Sequence, residues 1–209
     1  MPLRTSLATA DQTITHVYFP EHGIASLTAR TLTGSRSEVA MFGRDGMSGI
    51  AVVLGADRSP FDCVMQVAGH GRRIAVGALR AAMADSTTLQ ATLLRYVSVA
   101  FVQSGFTAVA NATFMLEPRL ARWLLMSHDR VDGNEIELTH ERLARMLAVR
   151  RSSVTIALQE LEGRRLIRAN RGSIVMLNRP GVIDAAKGSY GRPEVEYEGL
   201  IGPLVAPLA

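Results

Sequence analysis

Residues 138–177 constrain this 209-residue chain most strongly, because two short apolar-periodic runs meet there at a tight junction and a basic segment follows that alternates like a hairpin. In the first run Leu143, Met146 and Leu147 fall on one helical face. Thr139 stands where a hydroxyl accepts from a free amide one turn on, and Glu141 puts negative charge at the positive end of the helix. Ala148-Val149 forms the junction, where a small residue lets two helices approach, and Arg150-Arg151-Ser152-Ser153 opens the second run. Val154, Ala157, Leu158 and Leu161 recur there at three- and four-residue spacing, so they turn inward and leave Arg151, Ser152, Thr155 and Gln159 facing out. Gly163 stops the helix, Leu166-Ile167 resumes as a strand, Asn170-Arg171-Gly172 turns, and residues 173–177 return. Helix, junction, helix and hairpin in that order make a winged helix-turn-helix.

Charge gives this segment a partner. Between positions 139 and 180 there are nine arginines against three glutamates, a net of 9 − 3 = +6, whereas the whole chain is 23 − 19 = +4. The remainder is therefore negative, and the positive charge sits on the one segment whose shape fits a DNA groove, as phosphate neutralisation requires. Arg151 is the candidate for a guanine contact, because its fork matches O6 and N7. Arg150, Ser153 and Thr155 are candidates for phosphates or neighbouring bases, outward-facing Ser152 for a DNA contact beside Arg151, Arg171 at the hairpin tip for a phosphate, and Thr139 and His140 for contacts from the first helix. Arg150 stands where a capping serine is common, a misfit that a phosphate contact would compensate.

Upstream, residues 14–74 favour strands: Val17-Tyr18-Phe19 and residues 24–29 alternate, with glycines at 23, 34, 43, 46 and 49, which predicts a small antiparallel barrel. Gly69-His70-Gly71 is no dinucleotide fingerprint, since Ile74 holds the third glycine position and no βαβ unit surrounds it. Residues 86–111 contain no proline and read as one long helix with apolar residues over much of its circumference. One side is expected to cover the barrel, while Leu93, Tyr96, Ala100, Gln103 and Thr107 form a stripe for a second copy. Residues 112–116 are the expected hinge, Pro118 suits the first turn of a helix reaching about His128, and Trp123 belongs in its core. Beyond Pro180 glycines and prolines interrupt the pattern and Glu194, Glu196 and Glu198 make it acidic, so residues 186–209 are expected as a tail whose last ten or so residues are mobile.

Several functions are disfavoured. No nucleophile with its base, carboxylate pair or Walker motif is present, and the five histidines have no metal-ligand spacing, so neither catalytic nor metal residues are expected. Cys63 is the only cysteine, which excludes an intramolecular disulfide and a four-thiolate iron–sulfur cluster and suggests a small buried residue. With 47% hydrophobic residues and a mean hydropathy of +0.14 the chain can bury a core. No uninterrupted apolar run reaches the roughly 18–20 residues of a bilayer span, and no signal sequence is read, so a cytoplasmic protein without membrane contact is expected.

The helix-turn-helix segment resembles the DNA-binding domain of the Crp/Fnr superfamily of bacterial transcription regulators. Pro118-Arg119-Leu120-Ala121-Arg122-Trp123-Leu124-Leu125 resembles the helix after that family's hinge, and residues 16–23 and Gly43-Arg44-Asp45-Gly46-Met47-Ser48-Gly49 resemble motifs of its cyclic-nucleotide-binding-like sensor. The resemblance runs from about position 16 to 184 and implies an α+β chain with a sensor barrel and long dimerisation helix in residues 1–111 and a winged helix-turn-helix in 112–185. Family members usually carry further strands and a helix before the position of Met1, so the resemblance implies either that this chain starts late or that its start was assigned internally. The resemblance implies a homodimeric, DNA-binding regulator, with RNA polymerase as a further partner. The base-reading places of the catabolite activator branch fall on Arg151, Ser152 and Ile156, of which only the first keeps that branch's residue. The sensor's phosphate cassette, a Gly-Glu pair followed by Arg-Ser, meets Gly49-Ile50 and Arg58-Ser59 here, or Phe61-Asp62 if no gap is allowed. Arg58 is thus the one ligand-binding candidate, no cofactor is expected, and cAMP is expected not to bind. The alternatives are a small-molecule-binding barrel or an interaction adaptor that no longer binds DNA.

Overall fold

The structure, a computed structural model, describes residues 1–204. The sensor half consists of β1 (Ser6–Ala8), β2 (His16–Pro20), β3 (Ile24–Arg30), β4 (Arg36–Phe42), a helical turn α1 (Ile50–Val53), β5 (Asp62–Val67), β6 (Gly71–Ala75) and helix α2 (Val76–Asp85). Strands β1-β5-β3-β4 form one antiparallel sheet and β2 with β6 a second. Along β5, Cys63, Met65 and Val67 alternate into the core, and burial pushes the Cys63 thiol up to about 12. The two sheets do not close into the expected barrel. The free edge of β4 is met by a helix instead: the Met41 amide donates to Gln103 Oε1 at 2.9 Å, filling a hydrogen bond that strand closure would otherwise fill. Strand β1 and the helices α1 and α2 fall outside the strand-only reading of positions 14–74.

Helix α3 (Thr87–Thr113) starts where Ser86 caps it, its hydroxyl accepting from the Leu89 amide at 3.2 Å. Arg95 is its single charge, and by length and composition it is apolar enough to cross a membrane. Scattered Ser, Thr and Gln break its apolar runs while leaving it nearly uncharged, a character shared by helices that cover a core. Its inward face covers the sensor. Leu93, Tyr96 and Gln103 are buried against the chain's own strands and loop, with the Tyr96 hydroxyl donating to the Met47 carbonyl at 3.4 Å. The stripe expected for a second copy is therefore largely used within one chain.

The hinge is only Phe114-Met115, shorter than the expected 112–116, because α4 (Leu116–His128) begins at once. Helix α4 is buried along most of its length, including Trp123. Around it stand β7 (Glu135–Ile136), α5 (His140–Met146), α6 (Arg151–Gly163), β8 (Ile167–Asn170), β9 (Ser173–Met176), α7 (Arg179–Ala185) and α8 (Arg192–Leu200), with sheet order β7-β9-β8. Helix α6 ends at Gly163 as expected, and two non-glycine residues beyond the helix ends here take left-handed conformations. Ala148 (φ 54°) is exposed in the α5–α6 turn, so its small side chain eases the backbone rather than a helix contact, and Arg165 (φ 56°) turns the chain after Gly163.

Residues 186–209 are not simply a tail. Gly191, at φ 113°, and Pro193, in the first turn, start α8 rather than prevent it. The helix folds back on α3: the Tyr197 hydroxyl donates to the Asp45 carbonyl at 3.0 Å, and Arg95 donates to the Leu200 carbonyl at 3.3 Å. The expected mobility of the last ten residues falls partly on 205–209, outside the described residues.

The 43–49 glycine loop bolts the two halves together. Asp45 accepts two bonds from the buried guanidinium of Arg130, at 3.0 and 2.6 Å. Arg44 donates to Asp132 and to the Val131 carbonyl, each at 2.6 Å. Across the same interface Trp123 Nε1 donates to Glu38 at 3.0 Å, while Glu38 Oε2 and Arg122 Nη2 are buried without partners. Burial pushes the Glu38 carboxyl up to about 8, against the opposing Trp123 bond. The folded chain thus keeps a proton that the unfolded chain releases near pH 4.5, a contribution complete below that pH and lost as pH rises through about 8. Glu38→Gln, which cannot ionise, should gain on wild type by a few kcal/mol between about pH 5 and 9 in urea denaturation. A gap that stays constant with pH would contradict this.

Candidate nucleic-acid interface

Helix α5 is capped as the sequence suggests: Thr139 Oγ1 accepts from the Arg142 amide at 3.3 Å, and Glu141 stands in the first turn. Helix α6 buries Val154, Ala157, Leu158 and Leu161, which leaves Arg151, Ser152 and Gln159 exposed on the opposite face. His140 Nδ1 lies 3.0 Å from Thr155 Oγ1, and that hydroxyl donates to the Arg151 carbonyl at 3.1 Å. Thr155 is therefore a tie between the two helices more than the free contact expected of it. The wing is fixed to α6 by Glu162, which accepts from the Ala169 amide at 2.9 Å. A two-residue turn, Arg171-Gly172, joins β8 to β9, and Gly172 takes φ 92°.

These elements enclose a concavity of about 510 Å³ whose lining includes Thr139, His140, Arg151, Thr155 and Arg171. Five of the eight DNA-contact candidates thus share one surface. Ser152 is exposed beside it on the outer face of α6, Ser153 is half-buried, and exposed Arg150 looks into a different cleft on the sensor side. Asn170 and Gln159 also line the concavity and were not assigned contacts from the sequence, although both are polar and placed on elements the pattern identified. Ile156 is 57% exposed on the same helix. Arg150 caps α6 with no side-chain bond, so its first amides stay free beside two positive side chains, an arrangement that favours an anion.

Between the sensor strands and α3 little room is left. A Cβ on Gly46 would run into the Tyr96 ring and one on Gly49 would lie 2.9 Å from Val17 Cγ2, so the glycines of this loop make room for packing. The gap left between Phe42, Ile50, Tyr96, Gln103 and Tyr197 is about 10 Å³. Arg58 is 64% exposed with Asp57 as its neighbour at 3.9 Å. Among the described residues no group of three His, Cys, Asp or Glu side chains is arranged to hold a metal ion.

Residues 118–184 match the family model of the Crp-like helix-turn-helix domain. The whole fold is similar to that of TTHB099, a CRP-family transcriptional regulator from Thermus thermophilus (TM-score 0.72, 15% identity, 90% of this chain and 96% of that one). It is also similar to FixK2 from Bradyrhizobium japonicum (0.73, 14%, 88% and 93%). TTHA1359, a CRP/FNR-family regulator also from Thermus thermophilus, is a third (0.67, 18%, 91% and 98%). No curated protein matches the sequence.

Proposed function

We infer that this chain, a Crp/Fnr-type transcription regulator by its fold and its Crp-like helix-turn-helix domain, binds duplex DNA sequence-specifically as a homodimer and has a sensor that no longer takes a cyclic nucleotide. The observation that carries the DNA reading is the concavity in which Arg151 on α6 and Arg171 on the wing meet. A recognition helix in the major groove with a wing on the adjacent backbone uses such a pair, one arginine for a base edge and one for a phosphate. The protein acts by binding rather than catalysis, and its site of action is the cytoplasm, where the DNA and RNA polymerase are.

The dimer reading moves to the outer face of α3. Ala91, Leu94, Ser98, Phe101, Gly105, Ala108 and Ala112 alternate at spacings of three and four and are all exposed, with Phe101 at 79% and Leu94 at 44%. That is the seam of a two-helix coiled coil, and its small residues permit close approach around Phe101. A two-fold axis there would give the pair of recognition helices that a palindromic site needs. Because the 43–49 loop holds the end of α4 directly, a change at the sensor would reach the DNA-binding half through Asp45–Arg130. Selection of bound duplex from a random pool tests the function: a two-fold symmetric motif with half-sites about one helical turn apart supports it, and an unenriched pool overturns it.

For the sensor, the packed gap and Gly49-Ile50, which supplies no carboxylate for a ribose hydroxyl, support an expected outcome: neither cAMP nor cGMP binds with a dissociation constant below about 100 µM. Isothermal titration checks this, and micromolar binding that also sharpens DNA binding would contradict it.

A further inference from the structure

A second cleft, of about 770 Å³, lies between the outer face of the sensor sheet and the α5–α6 turn. Six arginines line it: Arg4 and Arg36 from the sensor, and Arg142, Arg145, Arg150 and Arg151 from the helix-turn-helix. The acids on its wall do not balance them. Asp62 is taken by Arg30 at 2.9 Å and the Ala10 amide at 3.0 Å, and Glu141 by Arg145 at 3.0 Å. Glu38, the third acid, is buried at the interface and keeps its proton up to about pH 8. Arg4, Arg36, Arg150 and Arg151 have no ion-pair partner among the described residues. Arg142 gives its guanidinium to two carbonyls, Gln66 at 3.4 Å and Glu137 at 3.3 Å, and its pKa is lowered by burial and by the charges of Arg4 and Arg145.

Two halves of one chain therefore turn like charge toward each other across a gap, an arrangement that is repulsive until an anion fills it. Arg4 is held at φ 65°, a left-handed conformation unfavourable for an arginine, with its amide bonded to the Met65 carbonyl at 3.0 Å. The volume lies within the range of about 300–1,000 Å³ usual for small-ligand sites. Guanidinium forks match phosphate oxygens in pairs.

We propose that this cleft binds a small, multiply phosphorylated anion, a nucleoside polyphosphate or its like, gripped by Arg4 and Arg36 on one side and by Arg142 and Arg150 on the other. The site is separate from the packed sensor interior. Such a ligand neutralises the facing arginines and fixes the two halves relative to each other. Resting on the DNA-binding reading above, it also competes with DNA, because Arg150 and Arg151 open the recognition helix.

Isothermal titration of the full chain with inorganic triphosphate, and separately with ATP, tests the site. One equivalent per chain is expected at physiological salt. Arg4→Ala and Arg36→Ala should each weaken binding by about five-fold or more through loss of a charge-assisted pair, while Arg171→Ala, on the wing outside the cleft, should leave it unchanged. With triphosphate at about ten times its dissociation constant, wild-type affinity for the selected duplex should fall by about ten-fold, and that of Arg36→Ala by much less. No saturable binding up to about 5 mM, or equal losses in Arg36→Ala and Arg171→Ala, would overturn the site, the latter by showing phosphate merely coating the DNA-facing surface. If wild type binds no duplex at all, the functional reading fails, while the isotherm and its sensor-side variants still decide the cleft.

Discussion

Asp45→Ala is expected to lower the free energy of unfolding by about 3–5 kcal/mol, the range for removing one partner of a buried ion pair. Asp45 and Arg130 are both almost fully buried, and both carboxylate oxygens are used by the guanidinium. Without Asp45 the Arg130 charge stays buried at the junction of the two halves, with the Met126 carbonyl at 2.6 Å as its remaining hydrogen bond. The Gly43 amide also loses its acceptor at 2.7 Å, so the glycine loop loosens at the same time. Urea denaturation gives the number. A change below about 1 kcal/mol would mean that the pair behaves as an exposed surface bridge and that the loop does not bolt the halves together.

Phe101→Asp should separate the dimer without unfolding the chain. The ring is 79% exposed in one protomer, so the monomer loses little, whereas a carboxylate at the centre of the seam meets its own copy. Forfeited ring burial and unpaired charge together should weaken self-association by about 3–5 kcal/mol. Ala100→Asp separates the two faces of α3. Position 100 looks toward Tyr96, Gln103 and Tyr197, so that change should destabilise the fold itself. Sedimentation of both variants beside their melting curves checks the pair of expectations. A Phe101→Asp dimer of unchanged mass would move the interface away from this helix.

What the sequence revealed and what it concealed follow from the range of the interactions involved. The helix-turn-helix was legible because its signals are local: Thr139 is a cap, Val154 to Leu161 have one period, and Arg171-Gly172 is a turn. The phase of α3 was not legible in the same way. With Arg95 its one charge, small and apolar residues occur all round it, so periodicity alone could not say which stripe meets the sensor and which meets solvent. Tyr96 is held by the room Gly46 leaves, a contact across 50 positions of sequence. Asp45–Arg130 and Tyr197–Asp45 span still longer separations and have no sequence signature. Ala148 and Arg165 occupy left-handed positions that glycine usually fills, both exposed, with their amides bonded locally to the Arg145 and Glu162 carbonyls. The prolines and glycines after position 186 look like breakers in the sequence because their place at the start of α8 depends on the α3 surface that receives it.

The central claim is that α6 reads bases and the wing holds the backbone. Its most direct test is the affinity of wild type, Arg151→Ala and Arg171→Ala for the selected duplex and for single-base variants of it, each followed across a salt series. Arg151→Ala should lose about 1–3 kcal/mol on the selected duplex and with it the preference at one base position per half-site. Arg171→Ala should weaken every duplex alike and reduce the salt slope by about one for each phosphate that the wing no longer neutralises. Equal, sequence-independent losses in both variants would contradict base reading by Arg151 and leave α6 as a phosphate-binding surface only.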